Sequence, residues 1–446
     1  MTVKIDETQI LVNRIEKKHG KTIEELVLER EKRVKDAMEL REPDRVPVTV
    51  PIGVFAARYA GLPASAMYYD HAAFREVSKK MLLDFEPDNS AAVGTTTSGL
   101  FLELIDEKQY RWPGGTLPDD VSMQFAEAEY MKADEYDLFL DDPSDFILRY
   151  YLPRISGLLA PLPRIQPLRN QIFGNLGGLQ GLTRILMSPE FREIGEALSK
   201  AEEEQDRLWK EGAEFAAEIA RLGFPSQGGG GRSIMFTPFD TISDKLRGIR
   251  GIMLDMYRCP DKLLEACDRV MSWWIAQATP AVPDSRGNLR RAGMPLHRGS
   301  DGFMSDKQFE KFYWPDLKKS ILTNIELGYV AAPFWEGIWD NRLEYLLDLP
   351  KGKVIFHCEK TDIFRAKQIL GDHMCIQGGV PPTLLQAGSP QDVEEHCRKL
   401  IKVVGKNGAS LWEPVALSTM PSQPISKRWS TQPKHMAGTR QRFSHI

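Results

Sequence analysis

The chain has 446 residues, 42% hydrophobic and 27% charged, with a formal net charge of −4. That length accommodates one large domain or two ordinary ones. The absence of a long basic block argues against nucleic acid as the main partner, and more weakly against a polyanionic substrate. No apolar run approaches the roughly 20 residues that span a bilayer, so no membrane partner is expected. The N-terminal MTVKIDETQILVNRIEKKHG lacks the apolar stretch of a secretory signal. Five scattered cysteines (Cys259, Cys267, Cys358, Cys375, Cys397) do not make a disulfide framework. A cytoplasmic protein is expected.

In chain order, residues 1–40 are charged with helical apolar spacing (Ile10, Leu11, Ile15, then Ile23, Leu26, Val27) and predict an N-terminal helical arm. Arg45–Gly53 is rich in β-branched residues and predicts a buried strand. Phe74–Phe85 predicts an amphipathic helix, Ala91–Thr95 a short strand and Tyr110–Gly115 a turn. Glu190–Leu222 has a long helical pattern, followed by the glycine run Gly228–Gly231. That run has neither Walker nor GxGxxG spacing, so it reads as a turn rather than an anion cradle. Trp273-Trp274 reads as helix packing, and Arg247 and Arg250 as surface ion-pair residues. Apolar segments at Gly293–Leu296, Tyr329–Phe334, Lys353–Phe356 and Met374–Gly379 then alternate with helices. Continuous apolar strands separated by helices are the mark of a parallel sheet covered on both faces. The fold class is α/β, and the repeated βα units favour a barrel or a doubly wound sheet preceded by the helical arm at 1–40.

In such a barrel the site lies at the C-terminal ends of the strands. That rule selects His297, Arg298 and Asp301 after one strand, Glu336 after the next, and His357, Cys358 and Glu359 after the third. Glu336 and His357 close consecutive strands about 4.8 Å apart, so both can reach one metal ion. Glutamate oxygen and histidine nitrogen suit Zn²⁺. Alone, each is an ordinary hydrogen-bonded strand-end residue; the pairing makes the metal reading. Cys358 should point to the opposite face. His297 and Asp301 are candidate proton donors or substrate contacts. Phe334, Arg342 and Arg58 are candidate substrate-binding residues.

Several phrases, in order, resemble the uroporphyrinogen decarboxylase superfamily. They are Arg45-Val-Pro-Val with Ala56-Ala-Arg-Tyr59, Phe236–Gly248, His297–Phe303 leading to Phe312-Tyr-Trp-Pro315, and Ala366–Asp372 into Ile376–Pro382. The resemblance spans roughly residues 40 to 408 and implies an enzyme on a (β/α)8 TIM barrel over residues 41–408, with an atypical tail at 409–446. The decarboxylase pattern carries two arginines that grip substrate carboxylates; here Arg58 matches one, and Val54 stands at the other. The acid expected after the second strand is missing from Ala91–Ser98. The corrinoid-linked, O-demethylase-type methyltransferase branch is the better match, since its Glu-x20-His pair aligns with Glu336 and His357. Its other glutamate would fall at Ile321, leaving the third ligand unassigned. The resemblance implies a zinc-dependent enzyme passing a methyl group between a small-molecule donor, such as a methyl ether, and a corrinoid protein. The alternatives are a decarboxylase of porphyrin metabolism and an inactive corrinoid- or tetrapyrrole-binding barrel.

After Gly408 the resemblance stops. Ala409–Ile446 has one acidic residue and no helical apolar period. Back-translated from Gln423 and read one base earlier, it permits PANIKAMVDTAKTYGR, similar to the closing helix of the family. The tail is therefore read as the product of a one-base frameshift near Gly408.

Overall fold

A computed structural model of the protein describes residues 7–50, 53–90, 97–172, 175–225, 231–283, 286, 288, 290–406 and 410–411. The Gly228–Gly230 run, the Ala91–Thr95 strand and the tail beyond Leu411 lie outside the described residues.

The arm consists of α1 (Glu7–His19) and α2 (Ile23–Met38). Thr22 and Glu25 form a reciprocal capping box that starts α2. The strand expected at Arg45–Gly53 is observed as β1 (Thr49–Val50), followed by α3 (Val54–Tyr59) and α4 (His71–Phe85). β1 pairs in parallel with β2 (Asn89–Ser90). The turn at Tyr110–Gly115 joins a feature not expected from the sequence, an antiparallel pair of β3 (Tyr110–Arg111) and β4 (Gln124–Phe125). The long helical pattern is α5 (Pro189–Arg221), and the Trp273-Trp274 pair sits on α6 (Pro260–Gln277).

The regular rhythm follows as β5 (Arg290–Leu296), α7 (Trp314–Glu326), β6 (Tyr329–Trp335), β7 (Ile355–Cys358), α8 (Ile363–Leu370), β8 (Cys375–Gly378), α9 (Pro390–Val403) and β9 (Ser410–Leu411). These five strands form one parallel sheet in sequential order. Neighbours that are both consecutive and parallel require a crossover each time, supplied by α7, α8, α9 and the 3-10 turn Leu343–Asp348. The structure is thus α/β. Among the described residues, the five-stranded sheet and the β1–β2 pair are not joined into a ring.

The two faces of the sheet differ. Leu296, Trp335, Phe356, Cys358 and Ile376 are buried in the main core with residues of α6, α7 and α8. The other face alternates with them: Pro295, Phe334 and His357 are half-exposed and Gln377 is buried. These four stand side by side in register across β5 to β8. Lower on this face, Val330, Ile355 and Cys375 pack against Val34, Ala37 and Met38 of α2. Helix α2 therefore closes the base of the sheet. It is tied there by buried Arg33, whose guanidinium meets Asp44 at 2.6 Å and also binds Asp88. No described helix is long and apolar enough to cross a membrane.

Candidate functional site at the strand ends

The half-exposed face opens at the C-terminal ends of β5 and β6. His297 follows β5 and Glu336 follows β6, one step beyond the register pair Leu296–Trp335, so they stand opposite each other. His297 Nε2 lies 3.4 Å from Glu336 Oε2. On the other side of the ring, His297 Nδ1 bonds the Asp244 carboxylate. Arg298 donates to the second oxygen of Asp244 at 2.7 Å and to Ser243 Oγ at 3.0 Å.

Asp244 comes from a π-helical turn, Ile242–Arg247, entered through a short helix (Pro238–Thr241) capped by the Thr237 hydroxyl. Such widened turns recur at functional sites because the extra residue re-aims a side chain. Asp240 in that helix is fully buried. It accepts the backbone N–H of His297 at 3.2 Å and of Arg298 at 2.9 Å, plus the Tyr313 hydroxyl at 2.6 Å. The end of β5 is thereby fixed by backbone bonds as well as by side chains.

These contacts set the charges. The hydrogen bond and charge of Asp244 raise the His297 pKa above its ordinary value, against the opposing effect of burial. Burial raises the Asp240 pKa, partly offset by its bond from Tyr313. Glu336 is oriented by its backbone: its carbonyl accepts from Trp339 Nε1 at 2.8 Å. The chain then turns at Gly337, whose φ of +86° is costly for a residue with a Cβ. Gly337 N–H donates to Glu359 at 2.7 Å, joining the β6 and β7 loops.

The other expected residues occupy varied places. His357 stands opposite Phe334 across β6–β7, with ring centroids 4.7 Å apart. It lies one row below Glu336. Cys358 points into the core, its thiol on the Thr361 carbonyl at 3.2 Å, and burial pushes its pKa up to about 12. Arg58 on α3 gives one N–H to the Asp120 carbonyl at 2.8 Å; its Nε and Nη1 are buried without a hydrogen-bond partner.

Three further residues sit in loop or core ion pairs. Arg342 is 2% exposed, bonded to Asp306 and the Met304 carbonyl and lying over the Phe309 ring. It braces the loops. Asp301 accepts from Asn341 N–H at 3.0 Å and lies 3.7 Å from Arg342 Nε, so it too stitches the loops. Arg247 is not on the surface: at 2% exposure it forms a buried pair with Asp255 at 2.5 Å. Conversely, Asp244 and Asp240 were missed, although both lie within Phe236–Gly248.

Two donors 3.4 Å apart match one edge of a zinc tetrahedron. Bond lengths of about 2.0–2.2 Å give an edge of roughly 3.3–3.5 Å. The Asp244 bond to the far ring nitrogen is the usual support of a metal-bound histidine. A catalytic zinc takes three protein ligands; this pair supplies two, and no three His, Cys, Asp or Glu side chains are gathered as a set among the described residues.

An α/β domain with its polar cluster at the ends of parallel strands is the class these features define. Residues 233–411 match the family model described as Uroporphyrinogen decarboxylase (URO-D), so this part of the chain is similar to that family. The phrases at Arg45–Tyr59 lie outside the match. A solved methyltransferase from Methanosarcina mazei is similar at 13% identity with a TM-score of 0.49, over 92% of this chain and 99% of that one. No curated protein matches.

Proposed function

We propose that the chain is a zinc-dependent methyltransferase on a closed (β/α)8 barrel. It passes a methyl group between a small-molecule donor, such as a methyl ether, and a corrinoid carried by a separate protein. The observation that carries this reading is the 3.4 Å approach of His297 Nε2 to Glu336, with Asp244 behind the ring. A paired nitrogen and carboxylate at half-exposed strand ends suits metal-assisted activation of a donor oxygen, and Glu336 with His357 shares the spacing of the O-demethylase-type enzymes. Zinc, when bound, supplies Lewis-acid polarisation of that oxygen.

The chain's own residues bind and orient the donor. Phe334 and Pro295 offer an apolar wall below the polar cluster, and a Cβ on Gly293 would meet nothing within 4 Å, so the face beneath is open. The free donors of Arg58 suit a carboxylate on the donor or the corrin. The decarboxylase reading draws on the family description and on Arg58. Val54 in place of the second arginine removes charge-assisted bonds that an octa-acid substrate needs.

Purified protein, loaded with zinc and given methoxylated aromatic donors and reduced cobalamin, should form methylcobalamin. Conversion of uroporphyrinogen to coproporphyrinogen, with no methyl transfer, would replace this reading with the decarboxylase. Binding of cobalamin with neither reaction would leave an accessory barrel.

A further inference from the structure

We infer that the outer face of α5 is a self-association surface, on which a second copy of this chain lays its own α5 antiparallel. The inference is independent of any activity at the strand ends.

A surface helix ordinarily has one apolar face and one polar face; α5 has a third. Its inner face is buried through Ile194, Ala201, Leu208, Phe215 and Ile219, the last two packed with Ile15 and Leu82. A charged face is used up within the chain, with Arg207 bridging Glu204 and Glu211, and Lys79 reaching Glu218. The remaining face runs from Phe191 through Leu198 and Trp209 to Ala213, Ala216 and Ala220, spacings that return to one side of a helix. Leu198 is 42% and Trp209 66% exposed, and the three alanines are exposed too. A Cβ added at Gly195, on the same side, meets nothing within 4 Å.

The order of sizes along this face points to its occupant. Bulk lies in the first half and alanine in the second, so a parallel copy would set bulk on bulk and leave alanine facing alanine. An antiparallel copy, centred between Gln205 and Asp206, sets Phe191 against Ala220 of the second copy, Gly195 against Ala216 and Leu198 against Ala213. All three pairs share that one centre, so the face complements itself under a two-fold axis, the commonest symmetry of homo-oligomers. Trp209 leans toward the helix N-terminus and so over the centre, where tryptophan anchors interfaces best. Charge agrees: Lys210, without an ion pair among the described residues, comes one residue from the level of Glu202 of the second copy.

Area is sufficient when the neighbouring helix is included. Residues 191–220 span roughly 44 Å, and a width of about 10 Å gives roughly 440 Å² per copy. A stable interface takes about 800 Å² per partner. The helix Asn175–Leu186 packs against α5 and exposes Leu179 and Leu186, with exposed Met187 next in the chain, so the apolar surface continues past the end of the stripe.

The test is sedimentation velocity on the full chain over a range of micromolar concentrations, with site-directed cross-linking. The wild type should be a dimer. Trp209→Ala and Ala213→Glu, both at exposed positions, should stay folded by circular dichroism and raise the dissociation constant at least tenfold. Leu198→Cys and Ala213→Cys proteins should form a disulfide-linked dimer when mixed and oxidised. Neither should do so alone, because like positions lie roughly 22 Å apart along an antiparallel pair. A wild type that is monomeric throughout overturns the inference. So does a dimer that survives both substitutions, or one in which each cysteine variant cross-links to itself.

Discussion

Asp244 and His297 lie 53 positions apart in the chain and meet carboxylate to imidazole at the ends of the parallel strands. Neither is positioned by chance: a π-helical turn presents the first, and the buried Asp240 fixes the backbone of the second.

The Asp240 clamp should show in stability. Asp240→Ala would strand two backbone N–H groups and the Tyr313 hydroxyl in a buried setting, each worth about 1–3 kcal/mol when left unpaired. Urea unfolding should therefore report a loss of a few kcal/mol. A loss within about 0.5 kcal/mol, the range of a neutral surface change, would mean the clamp is not formed.

Arg342 separates a bracing role from a substrate role. Removing this buried guanidinium takes the partner from the Met304 carbonyl and the nearby cation from Asp301, while Asp306 is already largely exposed. Arg342→Ala should destabilise by about 1–3 kcal/mol. Thermal unfolding and zinc titration together decide it: the expected outcome is a lowered melting temperature with zinc affinity retained at low temperature. An unchanged melting temperature with a raised KM would restore the substrate contact.

Gly293 tests whether the open face is where the donor lies. A side chain there meets nothing within 4 Å of its Cβ, so Gly293→Leu should leave folding and zinc uptake nearly unchanged. By filling the space it should cut methyl transfer at least tenfold. Full activity in a folded Gly293→Leu protein would move the donor elsewhere.

Asp316 gives the chain a pH dependence unrelated to the site. Burial, then the charge of Asp268, raises its pKa from 3.8 to about 6. The folded state therefore binds more protons than the unfolded state between those values, and stability falls as pH rises through that window. Asp316→Asn should unfold in urea with no such decline. The difference from wild type should be of the order of 1 kcal/mol by pH 7 after solvent screening. Parallel profiles would show that Asp316 titrates normally.

Much of the later half was legible in the sequence. The four apolar runs after Gly293 became β5 to β8 with ends shifted by a few residues, because strands covered on both faces leave unbroken hydrophobic segments. The rule that chemistry gathers at strand ends selected His297 and Glu336 as candidates. It could not predict that they would face each other, since that depends on the relative register of β5 and β6. Asp244 was hidden because helical periodicity says nothing about a π-turn. Arg342 and Asp301 lie in a loop ion pair, which uses the same residue types as substrate contacts and so is not told apart from them in the sequence.

The most direct measurement is anomalous diffraction at the zinc absorption edge from crystals grown with zinc. The account predicts one strong peak per chain bridging His297 Nε2 and the Glu336 carboxylate, with Asp244 still on Nδ1. A peak elsewhere, or an occupied site with the His297 ring turned away, would contradict it.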